Sequence, residues 1–243
     1  MNFINNSKNN FVKQKTLKNN ILFSGVGLHT GKAVSMSIEP SEPNTGIVFE
    51  RTDLYENNMI GAIIDNVDET CLCTKIINKH GVSVSTIEHL MAAFHGLEID
   101  NVKVKINSDE LPALDGSSYV YVKKIIDAGV KFQSVNRKCI KILKRIKFCL
   151  NDRYISAEPS NELSLNINID YPNTIIGNSH FTYNHSQSNF LAQLSEARTF
   201  TLLEDVEKMR LTGYAMGGSI NNAIVVDKHK IINSDGLKYK KEF

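Results

Sequence analysis

Apolar residues along the chain follow two rhythms. Val34, Met36 and Ile38 alternate with polar neighbours, as do Val102, Val104 and Ile106, and later Leu163, Leu165, Ile167 and Ile169. Alternation of this kind predicts strands with one buried face. Residues 46–50, the set Leu72, Thr74 and Ile76, and the short runs 223–226 and 230–232 read as further strands. Residues 140–150 and 153–158 read as a hairpin around Asn151-Asp152. The second rhythm is helical. Ile87, Leu90, Met91 and Phe94 fall at the i, i+3, i+4, i+7 spacing of a single buried stripe. Ser85 followed by Glu88 predicts a capping box at the start of that helix, and Gly96 predicts its end. At about 100° per residue, His89, Ala92, Ala93 and Gly96 gather on the other side, a face small enough for a second element to approach closely. A second helix opens at Asp115-Gly116-Ser117-Ser118 and stops at Gly129. A third opens at the capping box Thr201-Leu202-Leu203-Glu204, runs through Val206 and Met209 and ends at Gly213.

The order of strands, helix, strand, helix occurs twice, with the second pass reaching a turn at Asp235-Gly236. By its own internal symmetry the chain is one helix short at Phe243. These elements predict an α+β protein of two similar domains, residues 11–135 and 136–243. Their helices would be sandwiched between two mainly antiparallel sheets, with the second domain lacking its last helix. Residues 1–10 are polar and Asn-rich and are expected to be disordered. A ligand is expected between the domains.

Composition narrows the function without naming it. The chain has 243 residues, 42% hydrophobic and 22% charged, with a formal net charge of +2. Such a balance gives no electrostatic argument for nucleic acid as a partner. The basic cluster at 137–147 alternates with Ile140, Ile142 and Ile146, as on the wet face of a strand. Cys71, Cys73, Cys139 and Cys149 form no Cys-x-x-Cys pair, and no secretory leader or membrane span is evident, so free thiols in the cytoplasm are expected. The three glycines of Gly25-Val26-Gly27-Leu28-His29-Thr30-Gly31 permit tight turns, but no Gly-Lys-Ser/Thr ending makes them a phosphate loop. From spacing alone Glu88 stays open between a helix cap and an acid–base group. His89 stays open between an interior histidine and a metal ligand.

Five segments together carry a resemblance. They are the stretch Gly25-Val26-Gly27-Leu28-His29-Thr30-Gly31, then Thr86-Ile87-Glu88-His89-Leu90, then Leu111-Pro112-Ala113-Leu114-Asp115-Gly116-Ser117, then Ala197-Arg198-Thr199-Phe200 and Gly217-Gly218-Ser219. In this order and spacing the chain resembles the zinc-dependent UDP-3-O-acyl-N-acetylglucosamine deacetylases of lipid A biosynthesis. The resemblance implies removal of an N-acetyl group with release of acetate. It implies Glu88 as general base, His89 as a ligand of Zn2+, and Thr199 as a donor to the developing oxyanion. It places Leu28, Leu72, Phe200, Met216, Gly218 and Ala223 along the passage for the fatty-acyl chain of a UDP-3-O-acyl-N-acetylglucosamine-like substrate.

The same resemblance marks a departure. The family completes its zinc site with a His-Lys-x-x-x-Asp stretch due just after Phe243, followed by a catalytic histidine. No His-x-x-x-Asp or His-x-x-x-His occurs in the sequence. His180 and His185 are five apart in a loop-like stretch and make no substitute. The expectation is a deacetylase truncated within its second domain, whose native activity is lost or needs a missing C-terminal piece. The alternative is a non-catalytic binding protein that retains the acyl-sugar cleft.

Overall fold

The computed structural model describes residues 12–68 and 70–243, so the expectation of disorder for 1–10 lies outside the described residues. The first half contains β1 (Lys13–Leu17), β2 (Ile21–Val26), β3 (Ala33–Pro40), β4 (Ile47–Arg51), β5 (Met59–Gly61), β6 (Lys75–Ile77) and β7 (Ser83–Ser85). Helix α1 (Glu88–Gly96), β8 (Val102–Ile106), α2 (Tyr119–Ala128) and β9 (Val130–Asn136) follow. Strands β2-β3-β8-β4-β5 form one sheet in that order, antiparallel except for the β4–β8 pair. The alternation of the sequence sets which face is covered. Val34, Met36 and Ile38 turn inward with Val102, Val104 and Ile106, and all six are buried. Leu90, Ala93 and Phe94 of α1 and Tyr121, Val122 and Ile125 of α2 close the same core. Each such aliphatic side chain contributes about 1.5–3 kcal/mol by leaving water. Strand β1 pairs with β9, so the expected boundary near residue 135 falls at the end of that two-stranded ribbon.

The second half contains β10 (Ile146–Leu150), β11 (Arg153–Ala157), β12 (Ser164–Tyr171), β13 (Gly177–Asn184) and α3 (Gln187–Gln193). After these come β14 (Phe200–Leu202), α4 (Leu203–Leu211), β15 (Ile224–Asp227) and β16 (Lys230–Ile231). Strands β10–β11 and β12–β13 are antiparallel hairpins, and β14-β15-β16 make a small mixed sheet. The fold is α+β, with mainly antiparallel sheets. The two halves meet at the small face of α1. A Cβ placed on Gly96 would lie 2.1 Å from a ring carbon of Phe190 in α3, so only glycine admits that ring. Phe190 and Tyr183 belong to the same core cluster as α1.

Several local expectations are corrected. Ser85 does not cap α1. It is the last residue of β7, pairs with Lys75, and its hydroxyl donates to the Asp109 carbonyl at 3.0 Å. The strand claims Ser85 before the helix can, and α1 starts behind Ile87 with no side-chain cap. Thr201 likewise lies in β14 and does not cap α4. Leu72, expected in a strand with Thr74 and Ile76, lies outside it, with φ of 60° and an exposed side chain, because β6 begins only at Lys75. His180 sits within β13, opposite Asn168, although its Asn- and Ser-rich surroundings read as a loop. Helix α3 has no counterpart in the sequence reading, and its cap is Ser186, whose hydroxyl accepts the Asn189 N–H at 3.0 Å.

Candidate functional site

A cavity of about 940 Å³ lies between the glycine loop, the start of α1 and the β14–α4–β15 unit, of a size suited to an organic ligand. Leu28, Leu72, Phe200, Gly218 and Ala223 line it, with His89 and Thr199. Met216 does not line the cavity and is exposed. Its backbone N–H donates to the His29 carbonyl at 3.1 Å, and its Cβ lies 3.2 Å from where a Cβ on Gly31 would stand. Gly217 approaches closer still. A Cβ there would meet the Gly27 carbonyl oxygen at 2.1 Å, which is why the Gly217-Gly218 pair can lie directly on the glycine loop.

The turn before α1 sets the polar end. Thr86 has φ of 58°, a left-handed conformation unusual for a β-branched residue. It swings the chain from β7 into the helix, so that Glu88 and His89 occupy the first turn. Glu88 Oε2 accepts the Thr74 N–H at 2.9 Å. That bond fixes the carboxylate by one oxygen, and neither Glu88 nor Thr74 lines the cavity. Burial pushes the His89 imidazole below its ordinary value, opposed by the Glu88 and Asp115 carboxylates, so the ring is neutral near pH 7 and able to bind a metal or accept a proton. The Cys73 thiol nearby is pushed up, chiefly by burial.

Thr199 stands where three segments meet. Its N–H donates to the Gly116 carbonyl at 2.8 Å, and its carbonyl accepts the Ile224 N–H at 2.8 Å. Next to it, the buried Arg198 donates to Glu242 Oε1 and to Asp235 Oδ2, both at 2.8 Å, and so fastens residues 235–242 against β14. His29 also faces the cavity. Its two ring nitrogens are buried without a hydrogen-bond partner, and its ring meets Tyr214 edge-on at 5.3 Å. The sequence reading gave His29 no role; an orphaned imidazole in a cavity wall is a group that a ligand can satisfy.

The cavity thus sets apolar walls beside the His89 imidazole and Thr199. The comparisons with known proteins make this specific. The family model described as UDP-3-O-acyl N-acetylglycosamine deacetylase matches residues 14–243. The chain is 40% identical over 233 residues to the UDP-3-O-acyl-N-acetylglucosamine deacetylase of Haemophilus influenzae (strain PittEE), covering 95% of this chain and 76% of that protein. Against the deacetylase of Blochmanniella pennsylvanica (strain BPEN) the identity is 37%, covering 96% of this chain and 79% of the relative. Against that of Pasteurella multocida (strain Pm70) it is 39%, with 95% and 76% covered. The chain belongs to the UDP-3-O-acyl-N-acetylglucosamine deacetylase family of hydrolases.

Zinc is the metal that family uses, and the residues described here do not complete a site for it. Among them no group of three or more His, Cys, Asp or Glu side chains is placed to hold a metal ion, whereas a catalytic zinc takes three protein ligands. Among the described residues, no helix is long and apolar enough to cross a membrane.

Proposed function

We propose that this chain forms the acyl-sugar cleft of a deacetylase acting on UDP-3-O-acyl-N-acetylglucosamine in lipid A biosynthesis, and that Glu88, His89 and Thr199 mark its reacting end. The observation that carries this reading is that Leu28, Leu72, Phe200 and Ala223 line the same cavity as His89 and Thr199. The apolar residues take the fatty-acyl chain, which leaves the N-acetyl group beside the polar ones. Glu88 takes a proton from the water attacking the acetamide carbon. The Thr199 hydroxyl donates to the developing oxyanion, at a value of about 2–4 kcal/mol for one such donor. Breaking the C–N bond then releases acetate and the free glucosamine amine, which recovers the proton. His89, held neutral by burial, is the one imidazole among these groups that a zinc ion would find. Completing that ion's coordination needs ligands additional to those described. The proposed compartment is the cytoplasm, a reading supported by four cysteines without a disulfide.

A second reading, binding without chemistry, is favoured by the lack of a three-ligand group among the described residues. One experiment separates the two. The purified chain is supplied with zinc and substrate and acetate release is followed, with Glu88→Ala as control; in parallel, substrate binding is measured after chelation. Turnover above the control establishes the enzyme. Binding that survives both chelation and Glu88→Ala, without turnover, establishes the binder. Absence of binding by the folded protein removes both readings.

A further inference from the structure

One buried carboxylate near the cleft has no part in the chemistry above. Glu110 is 0% exposed. Its neighbour Asp109 takes the Lys32 ammonium at the surface, while Glu110 turns inward and collects four donors. Oε1 accepts the His29 N–H at 2.8 Å and the Thr86 hydroxyl at 3.0 Å. Oε2 accepts the Thr30 N–H at 2.8 Å and the Thr30 hydroxyl at 2.7 Å. The backbone around it is the middle rail between the same two segments. Ser85 N–H donates to the Asp109 carbonyl, Leu111 N–H to the Ser85 carbonyl, and Ala113 N–H to the Val26 carbonyl. Space is reserved for the carboxylate as well. A Cβ on Gly27 would stand 2.3 Å from Oε2.

We infer that Glu110 is a positioning residue for the cleft: its carboxylate locks the loop carrying Leu28 and His29 to the strained turn at Thr86 that sets Glu88 and His89. The inference rests on the proposed function for its consequence, since Leu28, Glu88 and His89 are among the residues the cleft reading uses. Its chemistry is specific to a carboxylate. Each oxygen must accept one backbone N–H, and both oxygens of an ionised carboxylate can. A glutamine in either orientation turns its NH2 towards one of those N–H groups and leaves that donor buried and unpaired. Aspartate is one methylene short. The Thr86 bond also bears on strain, because a non-glycine residue at positive φ persists only where its surroundings hold it.

The test uses the whole chain and the variants Glu110→Gln, Thr86→Ala and Thr86→Ser. Amide hydrogen exchange is read at 27–31 and 86–90 against the core strands β3 and β8, and UDP-3-O-acyl-N-acetylglucosamine is titrated calorimetrically into zinc-free protein. In Glu110→Gln, faster exchange at both segments is expected with β3 and β8 still protected. Substrate affinity should fall about tenfold or more, the loss that follows from one charge-assisted hydrogen bond. Thr86→Ala should show a smaller loss of the same kind, and Thr86→Ser should restore wild-type behaviour. Unchanged exchange at the two segments overturns the inference. So does faster exchange with unchanged affinity, which would make Glu110 a fold residue only. If Glu110→Gln fails to fold, the Thr86→Ala and Thr86→Ser pair decides by the same two readouts. If the wild-type chain itself binds no substrate, the proposed function fails, and the lock still stands or falls on the exchange measurement.

Discussion

Two strands with the same rhythm end in opposite surroundings. In β3, Val34, Met36 and Ile38 are 2%, 3% and 0% exposed; at the start of the second half's long hairpin, Leu163, Leu165 and Ile167 are 46%, 41% and 45% exposed. Both segments alternate, and both form antiparallel ladders. The difference is what lies on the apolar face. Over β3 stand α1 and α2, and the first half closes around one continuous core. The second half has a buried cluster of its own in Ile176, Ile224 and Val226, and its β10–β11 hairpin leaves Phe148 and Ile155, which face each other across the ladder, largely in solvent. Alternation therefore specifies a strand and its apolar face, whereas burial is a property of the neighbouring layer.

Four tests bear on that contrast. The largest effect is expected from Phe49→Ala in β4, where the ring is fully buried; chemical denaturation should show a loss of about 3–5 kcal/mol. Phe148→Ala, on the exposed hairpin, should cost no more than about 0.5 kcal/mol. Equal losses would break the comparison. Next, Arg198→Met leaves the Glu242 carboxylate, whose side chain is 0% exposed, buried without its cation. A loss of about 3 kcal/mol is expected, with faster proteolysis at 235–243 as the local sign. Retained protection there would show that Arg198 is not what holds the segment.

Gly96→Ala probes the seam between the halves. Its new methyl group meets the Phe190 ring, so a loss of about 1–3 kcal/mol is expected. The combined Gly96→Ala, Phe190→Ala variant should lose less than the sum of the two single changes. Simple additivity would mean that the ring and the glycine do not share the space. The smallest effect concerns His95 of α1, whose ring lies 4.6 Å from that of His185. Burial, and then the His185 and Arg137 charges, push the His95 imidazole below its ordinary value, while Glu98 pulls it up. The unfolded chain therefore binds the proton more readily. His95's contribution to stability is complete above the unfolded value of 6.5 and is lost as pH falls through the lower folded value. His185→Asn should raise the His95 midpoint in an NMR titration; no change would remove the pair as the cause.

How much of the site was legible follows from how each residue does its work. Leu28, His89, Thr199 and Phe200 lie in segments whose order along the chain carries the family resemblance, and the structure gathers them around one cavity. Glu110 was not singled out, although it stands one residue before a matched segment, because its four donors come from residues 24 to 81 positions away. Arg198 was legible as part of a motif, but its partners Asp235 and Glu242 were not, since they lie 37 and 44 residues further on. The misread helix starts have a common cause. A serine or threonine three residues before a glutamate satisfies the capping pattern, but at Ser85 and Thr201 a strand ladder takes the residue first.

The sequence by itself determined strands β3, β4 and β8 and helices α1 and α2, the inward faces of β3, β8 and α1, and which family the chain belongs to, because those depend on local period and on short motifs kept in order. The tertiary structure alone decided that Phe190 enters at Gly96, that the apolar face of β10–β11 stays in solvent, and that Glu110 ties the glycine loop to Thr86. Those are contacts between distant segments, and a side chain's partners across such a distance follow from the packing of whole elements rather than from any pattern along one of them.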